Sequence, residues 1–226
     1  MTKISGIKAV VFDAYGTMFD VHSPVGRLAS KLGDQAQSVS AMWRDKQLQY
    51  TWLRSLMQDY KPFTQVTSDA LSYAMEAHGI ENDALHKELV DAYFTLSAYD
   101  DVAPCLDALQ AKGFKTAILS NGSMDMLNAA VNSAGIADKL DAVLSVEEVQ
   151  VNKPDPRVYQ LTLDHFSIKA DEVCFVSNNA WDSHAGAHFG YQVARLNRYG
   201  ALAERLSGTP KFMMTDLTEL AKQLNA

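Results

Sequence analysis

The chain reads as an α/β protein, an open parallel sheet with helices on both faces, interrupted near its start by a helical insertion. Three observations predict this. Short apolar runs at residues 7–12, 114–119, 142–144, 173–176 and 193–196 have the length and unbroken hydrophobicity of strands buried on both faces. Helical patterns lie between most of these runs. Residues 21–98 break the alternation, because they offer helical periodicity and no convincing strand.

The first run ends in Asp13-Ala14-Tyr15-Gly16-Thr17, a carboxylate beside a glycine-containing turn. In the insertion, Leu48, Trp52 and Leu56 recur at four-residue spacing and Tyr50, Leu53 and Met57 form a second stripe. That pattern predicts a helix apolar around much of its circumference and central to a small bundle. Arg44 lies one turn before Leu48 on the same row, which aims its guanidinium along a buried-facing stripe. Beyond the insertion, residues 104–112 read as a helix closed by Gly113, and residues 125–134 as a helix closed by Gly135. The second strand ends in Ser120-Asn121-Gly122, the third is followed by Lys153-Pro154-Asp155-Pro156, and the fourth runs into Ser177-Asn178-Asn179-Ala180-Trp181-Asp182. In a parallel sheet these ends share one edge, where ligands bind, so residues more than a hundred positions apart converge on one crevice.

Composition narrows the function. With 226 residues the chain can bury a large core, and 20 basic against 27 acidic residues give a net charge of −7. The basic residues are scattered, so no electrostatic footprint for nucleic acid is present. Cys105 and Cys174 are the only cysteines and sit in apolar or helical stretches, which reads as two reduced core thiols. The N-terminal residues 1–6 lack an apolar leader, and no run reaches the ~18 apolar residues that a membrane span needs. A cytoplasmic protein without membrane association is expected.

Taken singly, each candidate has an ordinary explanation. Asp13 alone reads as a helix N-cap, Lys153-Pro154-Asp155-Pro156 and Ser120-Asn121-Gly122 as turns, and residues 177–182 as a loop with a cap. Arg44 alone reads as a side chain snorkelling over an apolar face, Thr17 and Tyr159 as local hydrogen-bonding residues, and Phe63 and Trp181 as core aromatics. The six histidines show no persuasive ligand spacing; His184 and His188 are four apart without an evident third ligand. Four matched strand ends outweigh the separate explanations.

Together, Asp13-x-Tyr15-Gly16-Thr17, Leu119-Ser120-Asn121-Gly122, Lys153-Pro154-Asp155 and Ser177-x-Asn179-Ala180-Trp181-Asp182 resemble the motifs of the haloacid dehalogenase superfamily, and within it the L-2-haloacid dehalogenases. Trp43-Arg44-x-Lys46-Gln47-Leu48 and Arg157-Val158-Tyr159 extend the similarity over nearly the whole chain. The resemblance implies a Rossmann-like, HAD-like core of residues 1–20 and 99–226 with an inserted helical cap subdomain, residues 21–98. It also implies a homodimer, for which the apolar insertion helix is the expected surface.

The activity implied is hydrolytic removal of halide from (S)-2-haloalkanoic acids. Asp13 would attack C2 and form an ester, and water would then open the ester at the carboxyl carbon of Asp13, releasing the (R)-2-hydroxy acid. Metal-dependent phosphatases of the superfamily carry a second aspartate two positions after the nucleophile, to protonate an alcohol leaving group. Tyr15 stands there, and a halide needs no proton. A further magnesium-holding aspartate corresponds to Asn178, so no metal and no other cofactor are expected. Lys153 is assigned as the cation that holds Asp13 as a carboxylate, with Thr17 and Tyr159 orienting Asp13 or Lys153 and Ser177 holding the lysine. Arg44 and Asn121 would receive the halide. Ser120 and backbone amides near Ala14 and Tyr15 would cradle the substrate carboxylate, Asn179 and Asp182 would position water, and Leu48, Phe63 and Trp181 would pack the alkyl side.

Three positions depart from the pattern. Asn152 precedes the lysine where tyrosine is common, Asn178 follows Ser177 where serine is common, and Asp45 stands beside Arg44 in place of glutamine. The expectation is altered turnover, with Asn178 acting on the hydrolysis step. Competing readings are a phosphatase of the same superfamily, against which Tyr15 counts, and a non-catalytic anion-binding protein on the same scaffold. Against the latter stand the charges of Asp13, Arg44 and Lys153, costly to gather in a crevice without a function.

Overall fold

The computed structural model describes residues 4–224; Met1 to Lys3, part of the stretch read above as lacking a leader, lie outside them, as do the last two residues. Strand β1 (Ala9–Phe12) is followed by five helices, α1 (Ser23–Arg27), α2 (Ala29–Leu32), α3 (Ala36–Leu56), α4 (Phe63–Ala77) and α5 (Asp83–Tyr93). The chain then alternates through α6 (Val102–Ala111), β2 (Lys115–Ser120), α7 (Met124–Ser133), β3 (Ala142–Ser145), α8 (Pro156–Phe166), β4 (Val173–Ser177), α9 (Ala180–Phe189) and β5 (Gln192–Leu196). It closes with β6 (Phe212–Met214) and α10 (Leu220–Gln223).

The six strands pair in parallel in the order β3-β2-β1-β4-β5-β6. Alternate residues of each strand feed different cores: Val10 and Phe12 join Ile118, Cys174 and Val176 on one face, whereas Ala9 and Val11 join Ala117, Val173 and Phe175 on the other. Burial on both faces explains why the strands read as unbroken apolar runs. The strand order reverses between β1 and β4, and Phe12 is in register with both Ile118 and Val176. The ends of β1, β2 and β4 therefore lie side by side at the switch point where open α/β sheets bind ligands.

Strand β6 escapes sequence patterning, because it has three residues and only Met214 is buried. The largest difference from expectation lies in α3. Its buried residues are Val39, Ser40, Trp43, Gln47 and Thr51, a narrow and partly polar stripe facing α4. Leu53, Leu56 and Met57 are exposed, Leu56 at 81%, so the helix is not apolar-buried all round: in its last turns Arg54 and Ser55, not these three apolar residues, make the contacts, to Asp69 and Asn152. Cys105 and Cys174 are buried and unpaired, and burial pushes both thiols up to about 12. Among the described residues no helix is long and apolar enough to cross a membrane.

Candidate active site

The nucleophile turn is a small knot of backbone hydrogen bonds. After the Asp13 amide donates to Val176 O at 2.9 Å, Ala14 O accepts from the amides of Thr17, Met18 and Phe19 at 3.2, 2.9 and 3.0 Å. Gly16 sits at φ +86°, a conformation that costs a side chain strain, and an added Cβ would face Asn179 and Arg44 at 3.8 and 3.9 Å. The knot folds Thr17 back under Asp13, and the Thr17 hydroxyl donates to Asp13 Oδ2 at 2.9 Å.

The two oxygens of Asp13 have different surroundings. Oδ2 accepts from Thr17, from Asn179 Nδ2 at 2.7 Å and from Ser177 Oγ at 3.3 Å. The hydrogen bond at Oδ1 comes from Lys153 Nζ at 3.1 Å. Lys153 is 1% exposed and also donates to Asp182 Oδ2 at 2.9 Å, while Phe175 places its ring 5.0 Å from the ammonium. Tyr159 donates to Asp182 Oδ1 at 2.7 Å. Two roles thus differ from expectation. Tyr159, held among Phe175, Phe189 and Tyr191, reaches Asp182 rather than Asp13 or Lys153. Ser177 sits at the end of β4 next to β1 and reaches Asp13 rather than Lys153.

Burial alone would push the Lys153 ammonium down, but Asp13 and Asp182 outweigh it and raise its pKa above the usual value. Asp182 is raised, chiefly by desolvation and against the pull of Lys153. Desolvation, with Asp182 adding to it, drives the Tyr159 phenol well above its ordinary value. Lys153 stays charged and Tyr159 stays protonated through the neutral range.

Arg44 on α3 connects the insertion to this cluster. It donates to Gln47 Oε1 at 2.7 Å and to Tyr15 O and Asn179 Oδ1, both at 3.3 Å. Gln47 is fixed in turn by Thr67 Oγ1 at 2.9 Å and by the Tyr93 hydroxyl at 3.1 Å. Tyr15 is buried, stacked on Phe63 at 5.1 Å and near Tyr93 at 5.6 Å, and its hydroxyl has no partner. Desolvation, with Tyr93 next, drives that phenol well above its ordinary value, so Tyr15 stays protonated through the neutral range. Ser120 Oγ accepts from the Gly122 amide at 3.0 Å, and Asn121 Oδ1 from the Lys153 amide at 2.9 Å, which leaves the Asn121 NH₂ as a donor. Leu48 is half-buried. Trp181 meets Trp52 edge to face at 5.4 Å, beside an apolar depression of about 600 Å³ that Leu56, Val151 and Pro154 also line.

The three departures sit away from the reacting oxygens. Asn178 turns from Asp13: its Oδ1 accepts from the Arg198 amide at 3.0 Å, and its own amide donates to Thr17 Oγ1 at 2.9 Å. Its side chain contacts neither Asp13 nor Asp182, and it meets the site through its main-chain amide on Thr17. Asn152 ties the lysine loop to α3 through Ser55 and Thr51, and Asp45 is exposed. Tyr93 and Arg198 support the site without a sequence signal of their own, whereas Gln47 stands in the motif Trp43-Arg44-x-Lys46-Gln47-Leu48 without a role assigned from sequence and falls on the buried stripe between Trp43 and Thr51.

Among the described residues no group of three or more His, Cys, Asp or Glu side chains could hold a metal ion. The Lys153 ammonium bonds both Asp13 and Asp182, so the two carboxylates share an internal cation. A strand-end aspartate paired with that cation, at the switch point of a doubly wound sheet, is the arrangement found here, and comparison with known families places it among hydrolases. The chain belongs to the haloacid dehalogenase-like hydrolases, whose family model matches residues 7–190. It is 43% identical over 219 residues to (S)-2-haloacid dehalogenase 1 of Pseudomonas sp. (strain CBS-3), covering 96% of each chain. To (S)-2-haloacid dehalogenase of Pseudomonas sp. (strain YL) it is 44% identical over 212 residues, covering 93% of this chain and 91% of that one. The structure of L-2-haloacid dehalogenase from Xanthobacter autotrophicus with chloropropionic acid covalently bound superposes with a TM-score of 0.90 at 36% identity, over 96% of this chain and 97% of that one.

Proposed function

We propose that the chain hydrolyses the carbon–halogen bond of (S)-2-haloalkanoic acids, with Asp13 as nucleophile. The observation that carries this is the asymmetry of the Asp13 carboxylate. Oδ2 is saturated by three donors, whereas Oδ1 meets a single ammonium and is the oxygen free to attack. Oδ1 bonds to C2 of the substrate, the carbon–halogen bond breaks on the opposite side, and halide leaves with its electron pair. The Arg44 fork and the Asn121 NH₂ receive the halide, and no proton is required. Ser120 and the amides near Ala14 and Tyr15 hold the substrate carboxylate, and Leu48, Phe63 and Trp181 face its alkyl side.

In the resulting ester Oδ2 is the carbonyl oxygen. Water attacks the side-chain carboxyl carbon of Asp13, Asp182 takes a proton, and negative charge develops on Oδ2. The hydroxyls of Thr17 and Ser177 and the amide of Asn179 already point there, which is the arrangement of an oxyanion hole. Collapse breaks the ester bond between the Asp13 carboxyl carbon and the alkoxide oxygen, Asp182 returns its proton to that alkoxide to release the inverted (R)-2-hydroxy acid, and the Asp13 carboxyl gives its proton to solvent and is restored as a carboxylate. Residues 21–98 act as a cap on the core of residues 1–20 and 99–226, tied to it by Arg44. The exposed apolar end of α3 supports pairing of two chains, which sedimentation equilibrium tests against the 24.9 kDa monomer mass. The buried thiols Cys105 and Cys174 support a cytoplasmic location.

Halide release from L- and D-2-chloropropionate, with and without EDTA, tests the reaction. Release from the L-enantiomer alone, unaffected by EDTA and absent in Asp13→Asn, is expected. In single turnover in ¹⁸O-water the label enters Asp13 first. Label appearing first in the product, or activity lost to EDTA, overturns the mechanism.

A further inference from the structure

Arg198 lies two residues beyond β5 and does not touch the reacting groups, yet two of its contacts lead to them. Its guanidinium grips Asp101 end-on, with Nη1 to Oδ2 at 2.7 Å and Nη2 to Oδ1 at 2.8 Å, and Nη2 also donates to Thr17 O at 3.0 Å. The plane lies 4.0 Å over the Tyr99 ring, and Asp101 Oδ2 additionally accepts the Leu217 amide at 2.9 Å. Tyr99 and Asp101 belong to the segment by which the chain returns from the helical insertion. That segment is stitched to the nucleophile turn by Asp20 N to Ser97 O at 2.8 Å and Tyr99 N to Met18 O at 3.0 Å. Arg198 therefore clamps the return segment, the turn after Asp13 and the chain before α10 at one buried point.

The second contact runs through the backbone. The Arg198 amide donates to Asn178 Oδ1, which anchors the residue whose own amide donates to Thr17 Oγ1. A threonine hydroxyl has one hydrogen. Because the Asn178 amide can only donate, Thr17 Oγ1 must accept there, and its hydrogen is committed to Asp13 Oδ2.

We propose that Arg198 is a positioning residue for the nucleophile, clamping Thr17 through its carbonyl and, by way of Asn178, through its hydroxyl, so that the hydroxyl stays aimed at Asp13. A lysine can keep the charge opposite Asp101 but cannot span Asp101 and Thr17 O with a planar fork. The consequence for rate rests on the dehalogenase reading above; the consequence for geometry does not.

The test pairs Arg198→Lys, which retains the ion pair and so the fold, with Asn178→Ala, which leaves the ion pair untouched. Crystal structures of both are expected to show the Thr17 hydroxyl withdrawn from hydrogen-bonding distance of Asp13. With L-2-chloropropionate, kcat is expected to fall about tenfold in Arg198→Lys and less in Asn178→Ala, with KM within about twofold of wild type. A role confined to stability would lower the melting temperature and leave kcat, measured well below it, unchanged; that result overturns the proposal. A Thr17–Asp13 bond persisting near 2.9 Å in both variants overturns it as well, even if wild type releases no halide and the reaction itself must be reassigned.

Discussion

Replacing Lys153 by methionine keeps much of the side chain's length and removes the one positive charge that Asp13 and Asp182 share. At 3.1 and 2.9 Å each contact contributes ~5 kcal/mol of Coulomb attraction at an effective dielectric of ~20. Most of that offsets the desolvation of three buried charges, and removing one partner of such a group costs about 3–5 kcal/mol. The variant has an escape, because the two carboxylates can share a proton. Wild-type Asp182, raised to about 6, already binds a proton more readily when folded than the unfolded chain does, whose aspartates titrate near ~4. Between those values the stability of both proteins falls together as pH rises. Above about 6 the folded wild type has released that proton, whereas the folded variant retains one that its unfolded form lacks. The variant alone therefore keeps losing ~1.4 kcal/mol per pH unit, so the gap widens by about 3 kcal/mol between pH 6 and 8. At ~2–4 °C per kcal/mol for a chain of this size, the full loss at pH 8 is a melting-temperature drop of about 6–20 °C. Urea unfolding at pH 5, 6, 7 and 8 reads the gap, and halide release from the same samples should be absent. A gap that stays flat from pH 6 to 8 would refute the shared-cation arrangement.

Three further outcomes follow from the geometry. Arg44→Lys loses the fork that spans Gln47, Tyr15 O and Asn179, and steady-state assays should show kcat down about 10–100-fold with a smaller change in KM; unchanged kcat would remove Arg44 from halide stabilisation. Gly122→Ala would place a Cβ 2.6 Å from the Tyr15 ring and 2.9 Å from Leu127, so thermal unfolding should show ~1–3 kcal/mol of destabilisation, with KM raised as Tyr15 shifts. Asp182 accepts the proton of water only as a carboxylate, so kcat should fall about tenfold per pH unit below about 6, and Asp182→Asn should accumulate the ester, visible as added mass on Asp13.

The strand-end signals were legible because a doubly buried parallel sheet leaves unbroken apolar runs, and the polar residues that close them mark the edge where the site must lie. Asp13, Lys153, Ser177 and Asp182 could be gathered from sequence for that reason. Their pairings could not. Whether Tyr159 reaches Lys153 or Asp182 depends on how α8 and α9 lean on the sheet, which no spacing records. The exposed last turns of α3 misled for a related reason, since Leu53, Leu56 and Met57 carry the same periodicity as a buried face. The buried stripe itself contains Gln47, bonded to Thr67, and Thr51, whose hydroxyl donates to Leu48 O, polar residues that leave no apolar signature. Arg198 was invisible because its importance comes from Asp101 and Thr17, brought to it by folding alone.

Tyr15 and Lys153 can be understood as two sides of one physical requirement. A leaving group that needs no proton frees the second position after the nucleophile from acid chemistry, and there an aromatic ring closes the site against Phe63 and Tyr93. Asp13 itself is only 6% exposed, with Thr17, Ser177, Asn179 and Lys153 around its carboxylate. A buried carboxylate needs a compensating charge, and the Lys153 ammonium, itself only 1% exposed, supplies it. The same reasoning explains why the three donors crowd Oδ2 and leave Oδ1 to the lysine: a donor added to Oδ1 would hold the carboxylate more firmly and blunt the atom that must form the bond to carbon.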